Sequence, residues 1–249
     1  MVKKECKLEL LIVLTLLELV PGYVMIGAVR ASPGGELLWT QTSNPSNVSD
    51  HAEGVAVYGS GIYIVGFDSS LGETDLEWRI EKRNLTDGSL IWSQTNNPST
   101  GYDEAKGVAV DITGIYTVGT DSSAGEFDLE WRIEKRSLTD GSPIWSQTSN
   151  PSNESDYACG VAVDGSGVYI VGSVLGNEEW RVEKRSLTTG SLIWSQTSNP
   201  SIGEDRAYGV AVDNSGAYIV GYDNSPETGD WEWRIEKRNL TDGSLIWSQ

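Results

Sequence analysis

Short apolar stretches separated by turn residues run along most of the chain. In the first clear example, Val55–Tyr58 is small and apolar, Ile62–Gly66 is apolar at nearly every position, and Leu76–Arg83 alternates apolar and charged residues. A fourth stretch, Leu90–Gln94, follows a turn of Thr, Asp, Gly and Ser. Because no segment repeats its apolar residues with a period of 3.6, the pattern predicts short β-strands rather than helices.

This four-strand pattern recurs along the chain. A Trp-centred phrase returns at spacings of 53, 53, 49 and 53 residues, and its tryptophans, which we predict to be structural, are Trp39, Trp92, Trp145, Trp194 and Trp247. Repeats of about 50 residues with four strands are typical of β-propellers. The sequence therefore predicts an all-β propeller of four-stranded antiparallel blades, with repeats at about 37–94, 95–147, 148–196 and 197–249.

The strand count gives one strand four near Trp39 and then four complete sets. One strand is therefore surplus to a closed four-bladed ring, so we expect an incomplete ring as an alternative to a closed one. Open ends would expose sheet faces and favour self-association.

The third strand of each repeat carries nearly all the positive charge, as Arg-x-x-Lys-Arg interleaved with Glu. After residue 31, only Lys106 and Arg206 lie outside this pattern. We interpret the pattern as an ion-pair ladder across strands or between blades, in which each pair contributes little. A basic stripe for a polyanion is the alternative, and the alternating Glu residues disfavour it.

The N-terminal residues 1–31 read as a signal peptide or an N-terminal anchor. Three lysines precede an apolar run, and Val29 and Ala31 place small residues before a cleavage site at Ser32. This order is typical of secretory signals. We therefore predict a secreted or cell-surface protein with repeats over residues 32–249, and no other apolar stretch is long enough to span a membrane.

Charge and cysteine content exclude several classes of protein. The net charge of -18 argues against binding to nucleic acid and against adhesion to an anionic membrane. Cys6 lies in the N-terminal segment, so cleavage would leave Cys159 without an intramolecular partner. The fold must then depend on packing.

Two stretches resemble known propeller repeats. Gly160–Gly172 resembles the SBBP-type repeat of prokaryotic surface propellers, and Leu187–Trp194 resembles the tryptophan-docking turn of quinoprotein-like, PQQ-type propellers. The resemblance covers residues 37–249 and implies the fold. Quinoprotein enzymes of this kind use a cofactor cradle with adjacent Cys residues and a calcium site with an Asp base. The chain has no such Cys pair, so we predict no catalytic residue.

One predicted face of the disc varies between the copies. It carries the loops at 67–75, 120–128, 173–178 and 222–230 and the crossovers with their constant Asp-x-Ala, whereas the turns of the opposite face are nearly constant. Variable loops on a constant scaffold are typical of a binding surface. The candidate binding residues are His51, Glu53, Asp68, Asp75, Glu104, Asp121, Asp128, Tyr157, Arg206, Tyr208, Asp223 and Asp230.

The acidic loops predict no metal site with a known spacing, although oxygen-rich loops leave Ca²⁺ as an open alternative. No cofactor is predicted. We expect an exported, non-enzymatic binding or scaffolding propeller with a protein or glycan ligand. The alternatives are a quinoprotein-like or glycan-active enzyme fragment and a structural component of a surface layer.

Overall fold

The computed structural model describes residues 37–125, 128–201, 203–224 and 229–249. The chain divides into two units, Met1–Leu38 and Trp39–Gln249, and the repeats form the second. The predicted signal segment, residues 1–31, lies outside the described residues. Within the described ranges, no helix is long and apolar enough to cross a membrane.

The second unit is built from antiparallel sheets of four consecutive strands, which we call blades one to four. This arrangement confirms the predicted β-propeller fold. A single 3₁₀ turn, Leu175–Asn177, lies in blade three among the described residues. The strands are β1 His51–Tyr58, β2 Gly61–Asp68, β3 Glu77–Asn84, β4 Leu90–Asn96, β5 Glu104–Asp111, β6 Gly114–Asp121, β7 Glu130–Arg136, β8 Pro143–Ser149, β9 Asp156–Asp164, β10 Gly167–Val174, β11 Glu179–Arg185, β12 Leu192–Ser198, β13 Arg206–Asp213, β14 Gly216–Asn224, β15 Trp231–Arg238 and β16 Leu245–Ser248.

The innermost strands of successive blades lie against each other at a glycine of the Gly-Val-Ala-Val phrase. A Cβ at Gly54 would lie 2.9 Å from the Lys106 carbonyl oxygen, and one at Gly160 would lie 2.7 Å from the Tyr208 carbonyl oxygen. Among the described residues, a Cβ at the equivalent Gly209 of blade four would meet only its own blade, at Val220. The described strands therefore form an arc whose ring is not closed.

The core lies between the blades. Trp78, Trp131 and Trp180, on the third strands, are fully buried. Trp180 packs with Tyr169 of its own blade and Ile219 of the next. The tryptophans predicted to be structural lie instead on the strand-four phrase and are less buried. Four of them pack on the turn glycine of the blade that follows: Trp39 on Gly88, Trp92 on Gly141, Trp145 on Gly190 and Trp194 on Gly243.

The charged pattern of the third strand forms a buried network, which corrects the expected weak surface ladder. In blade three, the carboxylate of Glu183 accepts hydrogen bonds from Arg181 Nε at 2.8 Å and Arg185 Nε at 2.7 Å. Ser149 Oγ of the preceding blade also donates to it, at 2.8 Å. Glu183 is fully buried. The pairs run along one strand, and the hydroxyl contact joins neighbouring blades.

At one buried position of the second strand, Thr117 stands where the other three copies have an isoleucine. Its side chain is fully buried, and Oγ1 has no hydrogen-bond partner among the described residues. An unpaired buried hydroxyl is unfavourable. We expect Thr117→Ile to raise the free energy of unfolding by about 1–2 kcal/mol. Chemical denaturation of the full chain measures this change.

The reverse substitution in blade three, Ile170→Thr, is the matched control. Ile170 occupies the equivalent position and is fully buried. It should lower stability, since it introduces a hydroxyl and removes buried apolar surface. A Thr117→Ile variant that is less stable than the parent would contradict the conclusion that the buried, unpaired hydroxyl of Thr117 destabilises the fold.

Candidate functional site

The starts of the four inner strands carry a row of side chains that differ from blade to blade. We call this set the inner-strand row. Because successive inner strands lie side by side, the backbone places these positions next to one another across the arc. The row consists of His51, Glu53, Glu104, Lys106, Tyr157, Cys159, Arg206 and Tyr208.

Blades three and four meet at an aromatic and cationic part of the row. The guanidinium of Arg206 lies 5.9 Å from the ring centroid of Tyr157. Tyr208 is half exposed, and its ring centroid lies 5.8 Å from that of Tyr222. Burial raises the pKa of Tyr222 to about 12. A hydrogen bond between the hydroxyls of Tyr222 and Tyr208 acts in the same direction.

Charges within the row are paired. Glu104 forms an ion pair with Lys106, and Arg206 pairs with Glu204 just before β13. His51 Nδ1 lies 3.8 Å from Glu53 Oε1. Paired charges give the row hydrogen-bonding capacity without a strong field of either sign.

Cys159 lies in the row but is not poised for chemistry. Burial raises the pKa of its thiol to about 11, although the charges of Lys106 and Arg206 act in the opposite direction. The thiol is therefore protonated and weakly nucleophilic at neutral pH. Its chain neighbours are Ala158 and Gly160. These residues do not fit the adjacent-Cys cradle that the resemblance to quinoproteins implies, and we derive no step through such a cofactor.

Three of the predicted binding aspartates are held by arginines. Asp68 and Asp121 are buried at the ends of β2 and β6 rather than in the loops, where the sequence placed them. Asp68 lies 3.0 Å from Arg79, and Asp121 lies 2.7 Å from Arg132. Asp223 lies 3.5 Å from Arg234 in the same way. These carboxylates fasten the second strand to the third.

The remaining candidates lie in the loops. Asp75 accepts a hydrogen bond from Asn97 at 3.1 Å, and Asp128 accepts one from Asn150 at 3.2 Å. Both contacts tie a loop to the crossover that follows it. Asp230 is exposed. In the described ranges, no group of three or more His, Cys, Asp or Glu side chains is arranged to hold a metal ion.

The constant Asp of each crossover has a structural role. Asp103 is buried and accepts hydrogen bonds from Ser99 N at 2.9 Å, Ser99 Oγ at 2.9 Å and Ser122 N at 3.0 Å. It thereby joins the Asn-Pro-Ser turn to the end of β6. Beside this clamp, an open cavity of about 650 Å³ is lined by Thr74, residues 98–102, Ser122 and Ser123. Its walls are mostly small and polar.

Sequence reasoning missed the residues opposite the row. In the strand register, His51 pairs with Phe67, Glu104 with Thr120, Tyr157 with Ser173 and Arg206 with Tyr222. The rings of His51 and Phe67 stack at 4.6 Å. The signal was present, because the position after Tyr-x-Val-Gly also differs in every copy. We read that position as the start of a loop, whereas it continues the strand.

Comparison with known proteins supports the fold. No family model and no curated protein matches the chain. Among solved structures, the quinohemoprotein alcohol dehydrogenase ADHIIG of Pseudomonas putida HK5 matches with a TM-score of 0.59 and 17% identity. The match covers 86% of this chain and 36% of the enzyme, so the chain spans about a third of that protein's length. The chain thus shares its propeller fold with a PQQ-type propeller.

Proposed function

We propose that this chain is an exported, non-enzymatic binding or scaffolding propeller whose ligand contacts the inner-strand row. The observation that carries this proposal is the contrast within each blade. Buried junction residues and turns repeat almost unchanged, whereas the two row positions differ in every copy. Variation confined to one surface of a rigid scaffold is typical of ligand binding.

The chemistry of the row favours a saccharide as ligand. The half-exposed ring of Tyr208 can lie against the apolar face of a sugar ring, and its hydroxyl can form hydrogen bonds with sugar hydroxyls. The nearby charges of Arg206 and Lys106 are already paired, which disfavours a purely electrostatic ligand. We therefore choose neutral and acidic oligosaccharides as the first probes.

The binding test is a microarray of these oligosaccharides probed with the full chain, followed by calorimetric titration of each hit. We expect Tyr208→Ala to weaken binding at least tenfold, since Tyr208 is 50% exposed in the row. Tyr58→Ala is the matched control, because Tyr58 is a partly exposed tyrosine at the opposite end of an inner strand. An equal loss of affinity in both variants would refute the row as the binding site. Unchanged affinity in Tyr208→Ala would refute it as well.

Export is tested separately by fractionating a producing cell and sequencing the N-terminus of the mature protein. Cleavage before Ser32 and recovery outside the cytoplasm are the expected results. An uncleaved chain in the membrane fraction would identify residues 1–31 as an anchor. A full-length chain in the cytoplasm would contradict export.

The enzyme alternative has its own measurement. One of the similar solved structures is a quinohemoprotein alcohol dehydrogenase. Dye-linked alcohol oxidation by the full chain supplied with PQQ and Ca²⁺ is expected to stay at the level of the protein-free control. Turnover above that level would overturn the non-enzymatic proposal.

A further inference from the structure

Blade four leaves exposed the side chains that the first three blades bury. Val220, Trp233 and Ile235 are 45%, 93% and 37% exposed. Their counterparts in the other blades are at most 1% exposed. These counterparts are Val65, Val118 and Val171, then Trp78, Trp131 and Trp180, then Ile80, Ile133 and Val182.

Blade one leaves exposed the complementary half of the same junction. On its inner strand, Val55 and Val57 are 67% and 60% exposed, and Ala52 is exposed as well. The alanines equivalent to Ala52 in the later blades are fully buried under the preceding blade, and they are Ala105, Ala158 and Ala207. Beside Ala52, a groove of about 320 Å³ is lined in part by Ile64 and Phe67.

Two of the three internal junctions show how the exposed tryptophan would be bound. Trp78 Nε1 donates a hydrogen bond to the carbonyl oxygen of Thr120 in the next blade at 2.9 Å. Trp180 Nε1 donates in the same way to the carbonyl oxygen of Tyr222 at 2.9 Å. The residue of blade one equivalent to Thr120 and Tyr222 is Phe67, which lines the groove.

We propose that blade four of one copy packs against blade one of a second copy, repeating the internal junction between two chains. Trp233 enters the groove and donates its indole N–H to the carbonyl oxygen of Phe67. Every copy carries both halves of this interface, and the interface is already formed three times within each chain. Such a head-to-tail contact gives a closed ring if the rotation closes and a longer assembly if it does not.

A whole blade can dock only if one outer strand is displaced, because two segments would occupy the same place. On blade one, Trp39 already packs on Gly88, and Gln41 Nε2 donates to the Asp87 carbonyl oxygen at 3.1 Å. Trp92 and Gln94 make the same contacts with the next blade. The segment starting at Trp39 therefore holds the place that β16 of an incoming blade four would take. The new junction is completed either by this segment or by β16.

The test is the mass of the full chain across a concentration series, measured by sedimentation velocity. We expect association that strengthens with salt, because each copy carries a net charge of -18. Trp233→Ala should weaken association at least tenfold. Ile246→Ala is the matched control, because Ile246 is 50% exposed and its counterparts Ile91, Ile144 and Ile193 are about equally exposed in every blade.

Mixing two variants tests the head-to-tail geometry. Val55→Asp should also abolish self-association, since it places a charge on the receiving face. A mixture of Trp233→Ala and Val55→Asp should associate, because the first variant keeps an intact blade one and the second an intact blade four. A monomeric parent at every concentration and salt level would overturn the proposal, as would a mixture that stays monomeric. Both substituted residues are exposed, and a melting curve for each variant verifies that it folds.

Discussion

Replacing Glu183 with alanine is expected to lower the free energy of unfolding by about 3–5 kcal/mol. The substitution leaves Arg181 and Arg185 beside an empty buried position. Among the described residues, the other hydrogen bond of Arg185 runs from Nη1 to the Gly190 carbonyl oxygen at 3.1 Å and does not neutralise its charge. Removing one member of a buried ionic network is costly because the charges left behind are desolvated and unpaired. Chemical denaturation of the full chain, followed by circular dichroism, measures the loss.

The control for this variant is Glu104→Ala. This substitution also removes an ion pair, the one between Glu104 and Lys106. Because these side chains are 23% and 29% exposed, water can solvate the lysine that is left. The expected change is below about 1 kcal/mol. Equal losses in the two variants would mean that burial adds nothing to the network around Glu183.

Stability should depend on pH through Asp156. Burial raises the pKa of this carboxyl from 3.8 to about 6, although hydrogen bonds from Ser152 act in the opposite direction. The unfolded chain therefore ionises first as pH rises, and the contribution of Asp156 to stability is lost between about pH 4 and about pH 6. Relative to the parent, Asp156→Asn should gain up to about 3 kcal/mol of stability between about pH 4 and about pH 7. Denaturant titrations at several pH values give this difference.

The pKa of the equivalent aspartate of blade one, Asp50, shifts in the opposite direction. We therefore expect the opposite dependence of stability on pH for this residue. Desolvation raises the pKa of Asp50, but hydrogen bonds from Ser46 and Ser69 and the charge of Arg79 outweigh it, so the pKa is lowered. Asp50 therefore stabilises the fold above its unfolded pKa, and this contribution is lost as pH falls. Asp50→Asn should lose stability relative to the parent as pH rises. If the stability of the two Asn variants, relative to the parent, changed in the same direction with pH, the opposite pKa shifts of Asp156 and Asp50 would be refuted.

The fold could be predicted because its signal repeats four times along the chain. The first and last residues of the strands were harder to predict. We expected strand one to begin at Val55, whereas β1 begins at His51. Polar residues such as His51 and Glu53 can continue this strand because their side chains are exposed to solvent. A single-strand pattern does not distinguish such residues from a loop.

The site could be located only in part, for a related reason. Variation between copies identified the starts of the inner strands, where the structure places the row. It also selected Asp68 and Asp121, which are buried in ion pairs with Arg79 and Arg132. Those partners come eleven residues later, on the neighbouring strand. Only the strand register shows that these carboxylates are occupied.

The uniform junction between blades has a consequence for the gene. Each blade contacts the next through the same third-strand tryptophan, turn glycine and hydroxyl or amide donor to the buried glutamate. Unequal recombination between two repeats would therefore insert or delete one complete blade and leave every remaining junction with its normal partners. Length variants of this coding sequence should accordingly differ in steps of about fifty codons, and each should encode a foldable arc.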